Sequence, residues 1–135
     1  MTPSSIELHR KSGILELAYD DGSRFELSAE FLRVHSPSAE VRGHGQGQEV
    51  LQTGKRDVAI TAIRPVGNYA IRLDFSDGHN SGIYSWPYLR ELGERRDSFW
   101  AAYLKKLEDA GGSRDTLPAD TQVIKIQPSP KTQGS

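Results

Sequence analysis

The chain contains no cysteine among its 135 residues. This excludes disulfides, thiol catalysis, and ligation of zinc or an iron–sulfur cluster through its own thiolates. An excess of one charge is also lacking. Seventeen Lys and Arg stand against 18 Asp and Glu, a formal net charge of -1, so no global field favours nucleic acid or an acidic membrane. No apolar run approaches the roughly 20 residues that cross a bilayer. The opening Met1-Thr2-Pro3-Ser4-Ser5 has neither the basic nor the apolar segment of a secretory signal, and a cytoplasmic location is expected. What is present is a 36% hydrophobic, 26% charged composition, over a length that suits one domain with a core of its own.

The hydrophobic pattern predicts a small α+β fold, an antiparallel β-meander domain with two or three short helices and a long Gly-rich loop. Residues 1–4 are expected to be disordered, 5–110 to form the domain, and 111–135 to be a flexible tail. Ile6 and Leu8 alternate with polar neighbours, and Ile14, Leu15 and Leu17 follow Gly13. Asp21-Gly22 is a strong hairpin signal because a type I′ turn needs positive φ, and Phe25 and Leu27 alternate on the return strand. Ser28 can cap a short helix over Ala29 to Arg33. Residues 35–57 carry Gly43, Gly45, Gly47 and Gly54 and read as a long irregular loop, mobile beyond His44. Strands resume at Val58 to Ile63, turn at Pro65-Val66-Gly67-Asn68, and alternate through Tyr69, Ile71, Leu73 and Phe75. A second Asp-Gly, Asp77-Gly78, leads into a strand from His79 to Trp86. Pro87 suits the first turn of a helix carrying Tyr88, Leu89 and Leu92. Asp97 or Ser98 can cap a second helix, striped by Phe99, Trp100, Tyr103, Leu104 and Leu107 and ended by Gly111-Gly112. Val123-Ile124-Lys125-Ile126 could add a short edge strand.

Candidate chemistry is sparse. Gly54-Lys55 is followed by Arg56, and Glu49 occupies the position of the first P-loop glycine, so the phosphate-cradling pattern fails. Gly43-His44-Gly45-Gln46-Gly47 likewise fails the dinucleotide pattern. His35, His44 and His79, with Glu40, are candidate metal ligands, since imidazole suits zinc, iron and nickel, but their spacing matches no standard ligand run. Ser36 and Ser38 are candidate nucleophiles only if a histidine base and an orienting acid stand beside them, which nothing in the sequence arranges. A turn beginning at Ser36-Pro37 is the simpler reading, and His79 is equally a turn residue. Arg90, Arg95, Arg96, Lys105 and Lys106 alternate with Glu91, Glu94, Asp97, Glu108 and Asp109, the mark of a solvated helix face rather than a nucleic-acid surface. Tyr84, Trp86, Tyr88, Phe99, Trp100 and Tyr103 exceed what one small core needs, and the surplus could anchor a partner.

One stretch draws these pieces together. Phe31-Leu32-Arg33 runs into His35-Ser36-Pro37-Ser38-Ala39-Glu40-Val41 and Arg42-Gly43-His44. Asp77-Gly78-His79, Gly82-Ile83-Tyr84 and Trp86 to Leu89 follow. The order resembles the gamma-butyrobetaine hydroxylase-like N-terminal domain over roughly residues 5 to 108. In the oxygenase members the resemblance implies a structural zinc held by three cysteines and a histidine, dimer contacts, and a following catalytic domain that uses iron and 2-oxoglutarate. Here Ser36, Ser38 and Val41 fall at the cysteine positions and His79 at the histidine position. Neutral hydroxyls are poor zinc ligands. The expectations are therefore a knuckle ordered over residues 32–38 without an ion, no cofactor and no catalysis. The motif residues would be Arg33, Ser36, Pro37, Ser38, Arg42, Gly43, His44, His79, Tyr84 and Trp86. Similar modules also occur joined to P-loop ATPases of the iron–sulfur carrier type. The resemblance thus implies an accessory or protein-interaction role near iron or iron–sulfur metabolism, with another protein or a second copy as partner.

Overall fold

Two Asp-Gly turns organise two separate three-stranded antiparallel sheets in this computed structural model, which describes residues 1–43 and 49–115. The first sheet has the order β1 (Ser5–His9), β2 (Ile14–Ala18), β3 (Arg24–Ser28). Its register places Leu8 opposite Leu15, Leu15 opposite Leu27, and Leu17 opposite Phe25, so the alternating apolar residues share one face. Ser28 ends β3 and caps α1 (Ala29–Val34), its hydroxyl accepting the Phe31 N–H at 3.0 Å. A short helix α2 (Ala39–Arg42) follows. The second sheet has the order β4 (Ile60–Val66), β5 (Ala70–Phe75), β6 (Gly82–Ser85). Ser85 closes β6 and caps α3 (Trp86–Glu94) through the Tyr88 N–H. Arg95 alone joins α3 to α4 (Arg96–Ala110). Gly111, left-handed with φ 67°, ends α4, and the N–H groups of Gly111 and Gly112 return to Glu108 and Leu107.

Neither meander can bury its apolar face alone, and the helices join them. Leu15, Leu17 and Leu27 of the first sheet pack in one cluster with Leu73, Phe75 and Tyr84 of the second. Phe31 and Leu32 of α1 and Leu89 and Leu92 of α3 complete that cluster. Burying a side chain of this size stabilises the fold by about 2 kcal/mol. Val34, Tyr103 and Leu107 form a smaller cluster under Leu51 and Trp100.

The structure departs from the sequence expectations at identifiable points. The 35–57 segment is not wholly irregular, because it contains α2. Val50 N–H bonds to Val41 O, and the Tyr103 hydroxyl donates to Gln52 O at 2.7 Å. Pro65 and Val66 lie in β4 rather than in the turn. β4 is an edge strand, where the missing Pro N–H removes no ladder bond. Tyr69 is a turn residue, 56% exposed, and burial begins at Ala70. Trp86 opens α3 instead of ending β6, held by its indole N–H to Asn68 O at 2.8 Å. α4 starts before Asp97 and Ser98, and neither caps it, because Arg95 is the hinge between the helices. Leu104 of the expected stripe is 39% exposed.

Both expected disordered ends have described contacts. Ser4 makes two hydrogen bonds to Ala18 O. Ser113 and Arg114 carbonyls accept the N–H groups of Gly54 and Arg56, and Arg114 grips the buried Glu30 with two bonds of 2.7 and 2.8 Å. The expectations for His44, for mobility just beyond it, for the tail from residue 116 and for Val123 to Ile126 lie outside the described residues.

Candidate functional site

The knuckle is built where α1 hands over to α2 and the β5–β6 turn crosses it. α1 ends at Val34. The chain then bends through Ser36-Pro37-Ser38, with Ser36 only 1% exposed and Ser38 buried. From 43 residues away the Asp77-Gly78 turn delivers His79, also buried, onto the two hydroxyls. Ser36 Oγ lies 2.7 Å from His79 Nε2 and Ser38 Oγ 3.4 Å from it. On the other side of the ring, Nδ1 faces Glu40 Oε1 at 3.3 Å, and the Ser81 hydroxyl donates to the same oxygen at 2.7 Å. A carboxylate only accepts, so Nδ1 carries the proton and Nε2 accepts from the Ser36 hydroxyl. Burial lowers the His79 pKa, and Arg33 and Lys55 lower it further, against the opposing pull of Glu40 and Asp77. The ring is neutral near pH 7.

Ser36 is fitted closely. Its Oγ also accepts the Ser38 N–H at 3.3 Å. A Cβ on Gly82 would stand 2.5 Å from that Oγ, so β6 can pass this close only as glycine. Beside it the Tyr84 hydroxyl donates to Leu32 O at 2.5 Å, and burial pushes its pKa far up.

Asp77 is the ionic centre of the turn. Its Oδ2 accepts from Arg33 Nε at 2.9 Å and Lys55 Nζ at 2.6 Å, and its Oδ1 from the His79 N–H at 3.2 Å. Burial by itself would raise the Asp77 carboxyl, but the bonds from Lys55, His79 and Arg33 outweigh it and hold it at about 2. The Arg33 side chain is 8% exposed, and its Nη1 is buried without a partner among the described residues.

The sequence-predicted residues thus fall into two groups. Arg33, Ser36, Ser38, Glu40, His79 and Tyr84 come together, with Pro37 in contact range of Gly82. His35 stays apart from them: its Nδ1 bonds to Phe31 O at 2.9 Å and its ring stacks on Phe99. Arg42 lies over the Tyr88 ring at 4.7 Å, Gly43 closes α2 with positive φ, and Trp86 is tied to Asn68. His44 lies outside the described residues. Among the described residues, three metal-competent groups within reach of one another occur only at Glu7, His9 and Glu16, on the first sheet, where Arg24 already pairs with Glu16. The roles of Asp77 and Lys55 escaped sequence reading, because Asp77-Gly78 announces only a turn.

The expectation that no base and acid would meet the serines needs correction, since Ser36, His79 and Glu40 stand in the order of a hydroxyl–imidazole–carboxylate relay. The hydroxyl end of this arrangement is buried. Ser36 is sealed beneath Gly82, and its hydroxyl is engaged by His79 and Ser38. Nor do these residues fit a structural zinc. The one nitrogen free to ligate accepts the Ser36 hydrogen bond, two positions offer neutral hydroxyls, and the apolar Val41 stands third.

Two antiparallel meanders joined by short helices over a hydrogen-bonded knuckle define a small α+β module. The family described as gamma-butyrobetaine hydroxylase-like, N-terminal, matches residues 6–90, and the chain belongs to it. Two proteins with NMR solution structures are similar over nearly the whole chain. One is 48% identical over 92% of this chain and 98% of its own (TM-score 0.75), the other 47% identical over 93% of each (TM-score 0.73). A crystal structure from Acidithiobacillus ferrooxidans ATCC 23270, a DUF971 family protein of unknown function, is 39% identical. It aligns with 68% of this chain and 92% of its own (TM-score 0.57). Among curated proteins nothing matches. No helix among the described residues is long and apolar enough to cross a membrane.

Proposed function

We propose that the chain is a non-catalytic accessory domain that works by docking another protein or a second copy of itself. The observation that supports this reading is an open cleft of about 970 Å³ between the α1–α2 corner and the α3–α4 pair. Three aromatic rings, Tyr88, Phe99 and Tyr103, line it with Val41, Val50 and Leu51. Aromatic rings of low side-chain entropy among aliphatic neighbours are the composition of interface anchors. The knuckle, in this reading, is the brace that fixes the α1–α2 wall of the cleft. Domain association within the resembling modules favours a partner in iron or iron–sulfur metabolism, although no residue of this chain carries that link.

A photo-crosslinking residue at Val50, exposed on the rim, tests the reading in native cells. A discrete adduct is expected from Val50 and none from the same residue at Tyr69, which is exposed but outside the lining. Mass spectrometry of the adduct separates a foreign partner from a second copy. No adduct at Val50, or equal adducts at both positions, overturns the reading.

A further inference from the structure

The same cleft has an electrostatic character that its apolar walls do not explain. Arg42 and Lys106 are exposed members of its lining, and neither has a carboxylate within ion-pair distance among the described residues. Two carboxylates also line the cleft, but neither is left over. Glu91 pairs with Arg95 at 3.6 Å, and Glu49 is engaged as well. Arg42 is held in place by the face of Tyr88, and Lys106 follows Tyr103 by three residues on α4. His35 lines the same cleft, its Nδ1–H donated to Phe31 O and its ring stacked on Phe99. Burial lowers the His35 pKa, and Lys106 and Arg42 lower it further, so both cations bear on this one ring. The imidazole is neutral, and among the described residues no carboxylate pairs with Arg42 or Lys106 at the mouth of this aromatic cleft.

We propose that the cleft takes an acidic segment of a partner protein, with carboxylates at Arg42 and Lys106 and apolar side chains against Tyr88, Phe99 and Tyr103. The inference rests on the docking role proposed above and names the chemistry of the partner. Charge complementarity selects acid over base, because a basic segment would meet two cations that no carboxylate among the described residues pairs. The size selects a peptide over a small carboxylate: about 970 Å³ lies at the upper end of small-molecule pockets, and the cleft is open. Two separate cations also suit a chain that presents more than one acid.

Titration of the full chain with a fluorescent peptide of alternating glutamate and leucine, read by anisotropy and by amide NMR shifts, tests the proposal. Saturable binding is expected, with shifts concentrated at Arg42, Val50, Leu51 and Lys106. The double variant Arg42→Glu/Lys106→Glu, both positions exposed, should stay folded, losing only the Arg42 contact with Tyr88, and bind about tenfold more weakly. A peptide of alternating glutamine and leucine should bind no better than that variant does. Equal binding of the two peptides overturns the acidic preference while leaving the docking role intact. Failure of both peptides also overturns it, and the Val50 crosslink then decides the docking role separately. Phenylacetate producing the same shifts when the acidic peptide does not would replace the peptide by a small carboxylate and likewise overturn the proposal.

Discussion

The two Asp-Gly hairpins are built on the same local plan and do different work. In the first, Asp21 Oδ1 accepts the Ser23 N–H at 2.9 Å and Oδ2 accepts Arg90 at 3.1 Å. In the second, Asp77 Oδ1 accepts the His79 N–H and Oδ2 accepts Arg33 and Lys55. Both carboxyls are held at about 2, Asp21 chiefly by the Ser23 backbone and Asp77 by cations that overcome its burial. The first turn sits in water and its cation comes from the surface of α3. The second is pressed against α1, and the residue two places on is a buried imidazole rather than a serine. The local motif makes the turn in both cases. The neighbours decide whether that turn is a surface loop or the keystone of a knuckle.

That contrast can be broken by mutation, and the largest effect belongs to Asp77→Ala. It strips the buried Arg33 of its carboxylate, and a buried charge left alone costs about 3 kcal/mol. Asp21→Ala, at a solvated pair, should cost far less. Urea unfolding of the two variants checks this, and equal losses would dissolve the distinction. Next in size is Gly82→Ala, expected to lose about 2 kcal/mol because its Cβ would press on Ser36 Oγ. Ser36→Ala should cost about 1 kcal/mol, since His79 Nε2 keeps only the longer contact to Ser38 Oγ and the Ser38 N–H loses its acceptor. With the hydroxyl gone the clash is relieved, so the double variant should cost less than the sum of the two. Strict additivity in thermal unfolding would show that the two residues do not press on each other.

The smallest effect is one of pH. His79 and His35 both have pKa values lowered from 6.5 in the folded protein. The unfolded chain therefore binds more protons below that value, and their contribution to stability, complete above pH 6.5, is lost as pH falls through it. Asp21 and Asp77 contribute a second loss only as pH falls from the ordinary carboxylate range toward about 2. Unfolding curves from pH 7.5 to 5 should show declining stability, with a flatter profile for His79→Gln. Stability that rises on acidification would contradict this.

Much of the framework is legible in the sequence, for reasons that act over a few residues. Ile14 to Leu17 and Ile71 to Phe75 alternate because a strand presents every second side chain to one face. Ser28 announces α1 because its hydroxyl satisfies an N–H that the helix cannot. Misreadings arise where a local preference yields to packing. Trp86 favours a strand by type, yet its indole N–H finds Asn68 O only when it opens α3. Asp97 is a better cap than Arg95 by type, but the close join of α3 to α4 starts the helix at Arg96. The site was half visible. The absence of cysteine, with Ser36, Ser38 and Val41 in the place of ligands, was readable from the chain. That Glu40 orients His79, or that Lys55 shares Asp77 with Arg33, was not.

By itself the sequence determined the two Asp-Gly turns, most of the strands and the Ser28 cap, since backbone sterics and nearest-neighbour hydrogen bonds settle these within a few residues; its motif order and lack of cysteine also carried the family and a knuckle without thiolates. Only the tertiary structure decided that Ser36 meets His79 across 43 residues and Arg33 meets Asp77 across 44. It likewise decided that Arg42 and Lys106 share one cleft. Such meetings follow from how two sheets and four helices pack around a common core, a sum over many side chains that no local pattern records.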